Sequence, residues 1–231
     1  MKISILAGIV FVSLQAASAA VIYTQPSVWT GSGTNLGSGW TSQLDASNNG
    51  FRTFDNFTLG AGATINQASW RGMYLNNPDL SNGTPNTSSW TVGFFADSGG
   101  SPGTQLSSTT LTSAQVTSQI LGSGMFGNNT VTVFEFTALL TSFNALGGTH
   151  YWFSPVSSAT TFSPFFSWIQ GTGGDGNSFQ NSYSAGGVSG SFVRSGDRAF
   201  TLSSVPEPAT PLLIGAGLAA LALVRRRLRI S

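Results

Sequence analysis

Along the middle of this chain, apolar and polar residues alternate in short bursts, each ended by Gly, Asn, Ser or Pro. Phe51 to Leu59 puts Phe51, Phe57 and Leu59 on one face and Phe54 on the other. Ser88 to Ala96 sets Trp90, Val92 and Phe94 on one side, the period-two pattern of a half-buried strand. Val131 to Ala138 places Val131, Val133 and Glu135 opposite Phe134 and Phe136. Thr64 to Leu75, Gly148 to Val156, Ser163 to Gln170 and Arg198 to Ser203 are further strand-like segments. Turn pairs separate them: Asn49-Gly50, Asn82-Gly83, Pro102-Gly103 and Gly147-Gly148. Ser113 to Leu121 is the one stretch suited to a short helical or irregular crossing. The Gly- and Ser-rich run from Gly171 to Gly190 predicts a mobile loop before the closing strands. Many short strands, 29 glycines and no amphipathic helix predict an all-β sandwich or jelly roll.

The two ends follow another pattern. Met1-Lys2, the apolar stretch Ile3 to Leu14 and the small residues Ala17-Ser18-Ala19 form the three parts of a secretory signal peptide, residues 1–20. Cleavage after Ala19 or Ala20 leaves a mature chain starting near Val21. At the far end, Val205-Pro206-Glu207-Pro208 interrupts any regular element, because proline fixes φ and removes a backbone donor. An uncharged apolar run, residues 212–224, follows and predicts a short hydrophobic helix before Arg225, Arg226 and Arg227. Counted from Pro208, the run reaches roughly 25 Å as a helix at 1.5 Å per residue, short of a comfortable membrane span. The arginines would stay in the cytoplasm. The division is therefore 1–20 signal peptide, 21–204 ectodomain and 205–231 tail.

Composition narrows the body further. Its length of about 185 residues suits one domain with a substantial core. Charged residues make up 7% of the chain, against roughly 25% in ordinary globular proteins. Within 21–204, four arginines face seven acids, a net charge of −3. Nucleic acid is excluded as a partner, since phosphate binding needs clustered cations. There are no cysteines, so neither a disulfide nor a thiol nucleophile is available.

Candidate chemistry is sparse. His150 is the single histidine, with no catalytic partner at nearby spacing, and its expected role is structural or at the surface. No Gly-x-Ser-x-Gly elbow precedes a helix. Glu135 lies in a strand with apolar neighbours; burial would raise its pKa, and a polysaccharide-degrading enzyme would need such a carboxylate with a second one nearby. Asp97, Asp175 and Asn177 sit in oxygen-rich loops of a kind that can hold Ca²⁺, the one cofactor considered. Trp70, Trp90, Trp152 and Trp168 lie in strands and are expected in the core. Trp29 and Trp40 lie in the Gly/Ser-rich N-terminal segment and are the tryptophans expected to be exposed for glycan stacking. No catalytic constellation emerges, and a non-enzymatic protein is expected.

The tail resembles the PEP-CTERM sorting signal in three ordered elements: Pro206-Glu207-Pro208, the apolar run and the Arg225-Arg226-Arg227 stop. The resemblance implies export by the secretion machinery and transient residence in the inner membrane of a Gram-negative bacterium. It further implies processing by an exosortase, a membrane-embedded enzyme, and then release to the cell surface or the extracellular polysaccharide matrix. The body resembles the ectodomains that precede such tails. Its landmarks are Asp55-Asn56-Phe57, Trp70-Arg71-Gly72, Phe94-Phe95-Ala96-Asp97, Ser101-Pro102-Gly103, Gly148-Thr149-His150-Tyr151-Trp152 and Asp197-Arg198-Ala199-Phe200. That likeness implies an extracellular β-sandwich and brings no catalytic residues. The expected function is a structural or adhesive surface or biofilm-matrix protein, with a carbohydrate-binding module as the alternative.

Overall fold

Strands dominate the computed structural model, which describes residues 19–206. In chain order they are β1 (Ala20–Gln25), β2 (Gly39–Thr41), β3 (Gln43–Leu44), β4 (Gly50–Thr58), β5 (Ala63–Leu75), β6 (Thr87–Asp97) and β7 (Pro102–Thr112). They continue as β8 (Thr117–Phe126), β9 (Asn129–Ala145), β10 (His150–Ala159), β11 (Phe165–Ile169), β12 (Asn177–Ser184), β13 (Gly187–Ser195) and β14 (Phe200–Ser204). The predicted signal peptide, apart from its last two residues, lies outside the described residues. So do the helix predicted over residues 212–224, Glu207, Pro208, Arg225, Arg226 and Arg227. Among the described residues no helix is long and apolar enough to cross a membrane.

Two sheets carry the chain, as an all-β sandwich requires. In the first, β5 pairs with β9 along one side, and β9 pairs in turn with β8. Along its other side β5 pairs first with β14, through Ala68↔Leu202, and then with β11, through Met73↔Ser167. β1 and β2 complete this sheet beyond β14 and β11. The second sheet runs β13-β12-β4-β3-β10-β6-β7, with β4 also pairing directly with β10. Ala20–Ser204 forms one compact unit.

Alternation decides what enters the core. Trp90 on β6 and Trp70 on β5 meet between the sheets with ring centroids 5.0 Å apart, and Phe136 and Phe166 close on Trp90 at 4.9 and 4.8 Å. Edge-to-face and offset aromatic pairs of this kind add about 0.5–1.5 kcal/mol each beyond the area they bury. Trp168 and Phe153 extend the same core, so three of the four strand tryptophans are interior residues between the sheets. Trp152 is equally buried but on the opposite face of its strand. Gly72 is required where β5 passes β11: a Cβ there would stand 2.1 Å from the Phe166 ring.

The expected loop over Gly171 to Gly190 is corrected in part. Residues 171–176 are a connection, but β12 and β13 form a hairpin turning at Ala185-Gly186. Their Ser- and Asn-rich sequence lacks strong apolar alternation, yet β12 pairs with β4 through Phe179↔Phe54 and is thereby fixed in the sheet. The connection is pinned as well, since the Gly174 and Gly176 amides donate to the two Asp197 carboxylate oxygens at 2.9 and 2.7 Å. Of the crossing expected at Ser113 to Leu121, only Ser113–Gln115 forms a 3-10 turn, capped by Val116, and Thr117 onward belongs to β8.

Candidate functional site

A second aromatic cluster lies on the face of the second sheet turned away from the core. Phe57, Phe94 and Phe153 point inward, so their strand neighbours of opposite parity point outward. Phe54, Phe95 and Trp152 are these outward residues, and they are buried against one another, with Phe179 packed beside them. Phe54 meets Phe95 edge-on at 5.2 Å, and Trp152 meets Phe179 at 6.0 Å. Rings on an outer sheet face stay dry only when something covers them. Here Arg52 does so, its guanidinium carbon 4.7 Å from the Phe95 centroid and 5.4 Å from that of Phe54. Its Nε donates to Ser154 Oγ at 3.0 Å, and that hydroxyl donates to the Thr53 carbonyl at 2.7 Å.

Beside the rings, His150 has the partner that short spacing in the sequence did not reveal. Tyr151 pairs with Ala96 across β10 and β6, which brings His150 next to Asp97. His150 Nδ1 lies 3.1 Å from Asp97 Oδ1, and the Trp152 indole N–H donates to the same oxygen at 2.9 Å. Partial burial alone would raise the Asp97 pKa. The Trp152 indole, the Gly100 amide and His150 outweigh that and hold the carboxyl below its usual range. Asp97 therefore spends its acceptors on protein donors.

Asp175 and Asn177 lie elsewhere, in the connection before β12. Asp175 accepts from the Asn56 side chain at 2.9 Å and from the Asn177 amide at 2.9 Å. Among the described residues no three His, Cys, Asp or Glu side chains gather in one place.

The landmarks Asp55-Asn56-Phe57 and Asp197-Arg198-Ala199-Phe200 meet in the interior. Asp55 accepts from the Arg198 and Asn56 backbone amides. Burial pushes the Asp55 carboxyl well up, opposed by those amides and by the Arg198 charge. Burial pushes the Arg198 guanidinium down to about 10. Its Nη atoms donate to the carbonyls of Ser38, Trp168, Ser195 and Gly196 and to Ser38 Oγ. This charge holds chain segments together.

The expectation of exposure fails for Trp29, which is 8% exposed, packs with Leu36 and Val133, and donates from Nε1 to the Ser123 carbonyl at 3.2 Å. Trp40 is half-buried under Arg194, whose guanidinium carbon lies 4.3 Å from its centroid. Glu135 is half-buried and ion-paired to Arg71 at 2.8 Å, in a depression of about 110 Å³ on the first sheet. It is the one acid among the residues lining that depression, whereas glycoside hydrolysis works with two. Phe54, Phe95, Arg52 and Phe179 were not singled out from sequence. The available signal was Phe54 lying out of phase with Phe51, Phe57 and Leu59, which marks a strand apolar on both faces.

Comparison with known proteins bears on the end of the chain. Residues 204–227 match the PEP-CTERM protein-sorting motif. Searches of curated proteins and of solved structures return no significant match. Ser204, the first matched residue, is the last of β14 and pairs with Ala20; Pro206 is exposed just beyond it. The chain thus carries a PEP-CTERM protein-sorting motif over residues 204–227, a motif that indicates export with transient anchoring in a membrane and implies processing by an exosortase.

Proposed function

We propose that the processed protein serves as a structural or adhesive module at the cell surface or in the exopolysaccharide matrix of a Gram-negative host, with no catalytic role. The observation that carries this reading is a sorting motif attached to a sandwich whose second sheet ends in an open, nearly uncharged edge. Among the described residues β13 pairs with β12 alone; it contains one charged residue and leaves Val188, Phe192 and Val193 exposed by 56%, 41% and 69%. Soluble proteins usually blunt such edges with lysine or proline, because the free amides and carbonyls template further strands. An assembling or adhesive protein benefits from keeping one open. The test is fractionation of the native protein with its host's matrix. Retention in washed matrix supports the reading, and recovery only as free protein in the medium overturns it.

A second reading, a carbohydrate-binding module, is favoured by the outer face around Arg52 and by the half-exposed Trp40.

A further inference from the structure

β14 and β1 both meet the flanking chain at one end of the sandwich. β14 runs antiparallel to β5, so Ser204 points toward Ala63, where β5 begins, and β1 lies alongside through Ala20↔Ser204. β9 finishes at the same end, with Ala145 opposite Ala63. Two connections form the tip there, residues 59–62 between β4 and β5 and residues 146–149 between β9 and β10. They pack against each other: the Gly148 amide donates to the Leu59 carbonyl at 2.8 Å, and a Cβ on Gly147 would stand 2.9 Å from the Ala61 Cα. The Leu146 amide is held by the Tyr151 hydroxyl at 3.2 Å, yet Leu146 is 65% exposed.

This tip differs in composition from the connections at 45–49 and 76–86, which carry Asp, Asn and Ser as water-facing loops do. Leu59-Gly60-Ala61-Gly62 and Leu146-Gly147-Gly148 have no polar side chain, and no Asp, Glu, Lys or Arg occurs in residues 57–70, 136–149 or 199–206. Asp97, before the third connection at this end, has its carboxylate spent on Trp152 and His150. Beside the tip, a row crosses the outer face of the first sheet through Val21↔Ser203, Ser203↔Gln67 and Gln67↔Leu139. Residues paired in this way share a face, and the row's end members, Val21 and Leu139, are 63% and 62% exposed. Val21, Leu139 and Leu146 thus form an uncharged apolar margin on the first sheet where the chain departs.

Chain length decides what lies against this margin. The sorting motif begins at Ser204 and indicates transient anchoring in a membrane. From Pro206 to Leu212, where the uncharged apolar run begins, the chain can span about 20 Å at full extension. The polar layer of a bilayer is itself about 5–7 Å deep on each side, so anchoring keeps this end of the body beside it. Exposed apolar surface without charge suits the boundary between headgroups and acyl chains, and a short tether raises its effective concentration there. We propose that Leu146, Leu139 and Val21 form a membrane-contact surface, with bilayer lipid as the partner, that seats the body on this end while the tail is anchored. Three aliphatic side chains bind reversibly, so the contact orients the body and is not a second anchor.

The test uses the chain with its tail intact, reconstituted into phosphatidylcholine vesicles at low protein density. The protein has no cysteine, so a single introduced one carries a fluorophore cleanly. Gly60→Cys puts the label on the tip, in open space, and Ser113→Cys puts it at the opposite end, next to the Ser89↔Thr112 pair. Lipid spin-labelled at the headgroup is expected to quench the Gly60 label several-fold more than the Ser113 label. Leu139→Asp combined with Leu146→Asp, both at exposed positions, should abolish that difference while the protein still floats with the vesicles. Equal quenching of the two labels in protein that floats would overturn the contact and leave the anchoring standing. Failure to float would overturn both. Blue-shifted emission at Gly60 that grows with protein density and is not quenched by lipid would overturn the lipid surface and make the occupant a second copy.

Discussion

Arg198 ties the segments around Ser38 and Trp168 to its own Ser195-Gly196 turn through four carbonyl oxygens. Replacing it by alanine leaves those acceptors and the buried Asp55 without their cation. Arg198→Ala is expected to lower stability by about 3–5 kcal/mol, a large share of a typical domain's total. A urea midpoint within error of the unaltered protein would show that the guanidinium is dispensable. Asp97 yields a pH prediction whose sign follows from its depressed pKa. A carboxyl held below its unfolded value near 3.8 contributes stability above that value and loses it as pH falls through the folded pKa. Asp97→Asn should therefore flatten the acid limb of the melting-temperature profile below about pH 4. An unchanged limb would mean that the Trp152 and His150 contacts contribute nothing in solution.

At the scale of elements, legibility in the sequence tracked apolar alternation. β4, β6 and β9 were readable from apolar alternation, and β5, β10, β11 and β14 as apolar segments bounded by turn residues, several of them buried on both faces. β7, β8, β12 and β13 were not, because Gly, Ser, Thr, Asn and Gln together occupy most of their positions. Such strands are held by a paired neighbour rather than by a buried face of their own. Long-range register, which short spacing does not encode, also hid the meeting of His150 with Asp97 and the burial of Trp29 beneath β8. The open edge carries its own prediction. Val193→Lys places a charge on β13 and should reduce self-association in light scattering while leaving the melting temperature within a degree or two. Equal association of both proteins would remove β13 from the contact.

For the whole molecule, charge and topology agree with the sorting motif. The body's net charge is −3, and the cations of the whole chain are concentrated at its two ends. Ser204 is paired in β14 while Pro206 lies exposed two residues later, so folded sandwich and sorting motif adjoin almost without a spacer. The sequence made the motif legible because Pro-Glu-Pro, apolar run and arginines occur in a fixed order. It left the outer-face site illegible because that site is assembled from β4, β6, β10 and β12. The most direct test of the account maps the termini of the native protein by peptide mass spectrometry in separated membrane, surface and medium fractions. The account predicts a C-terminus near Pro206 to Thr210 on protein found outside the inner membrane. A C-terminus at Ser231, on protein confined to the inner membrane, would contradict it.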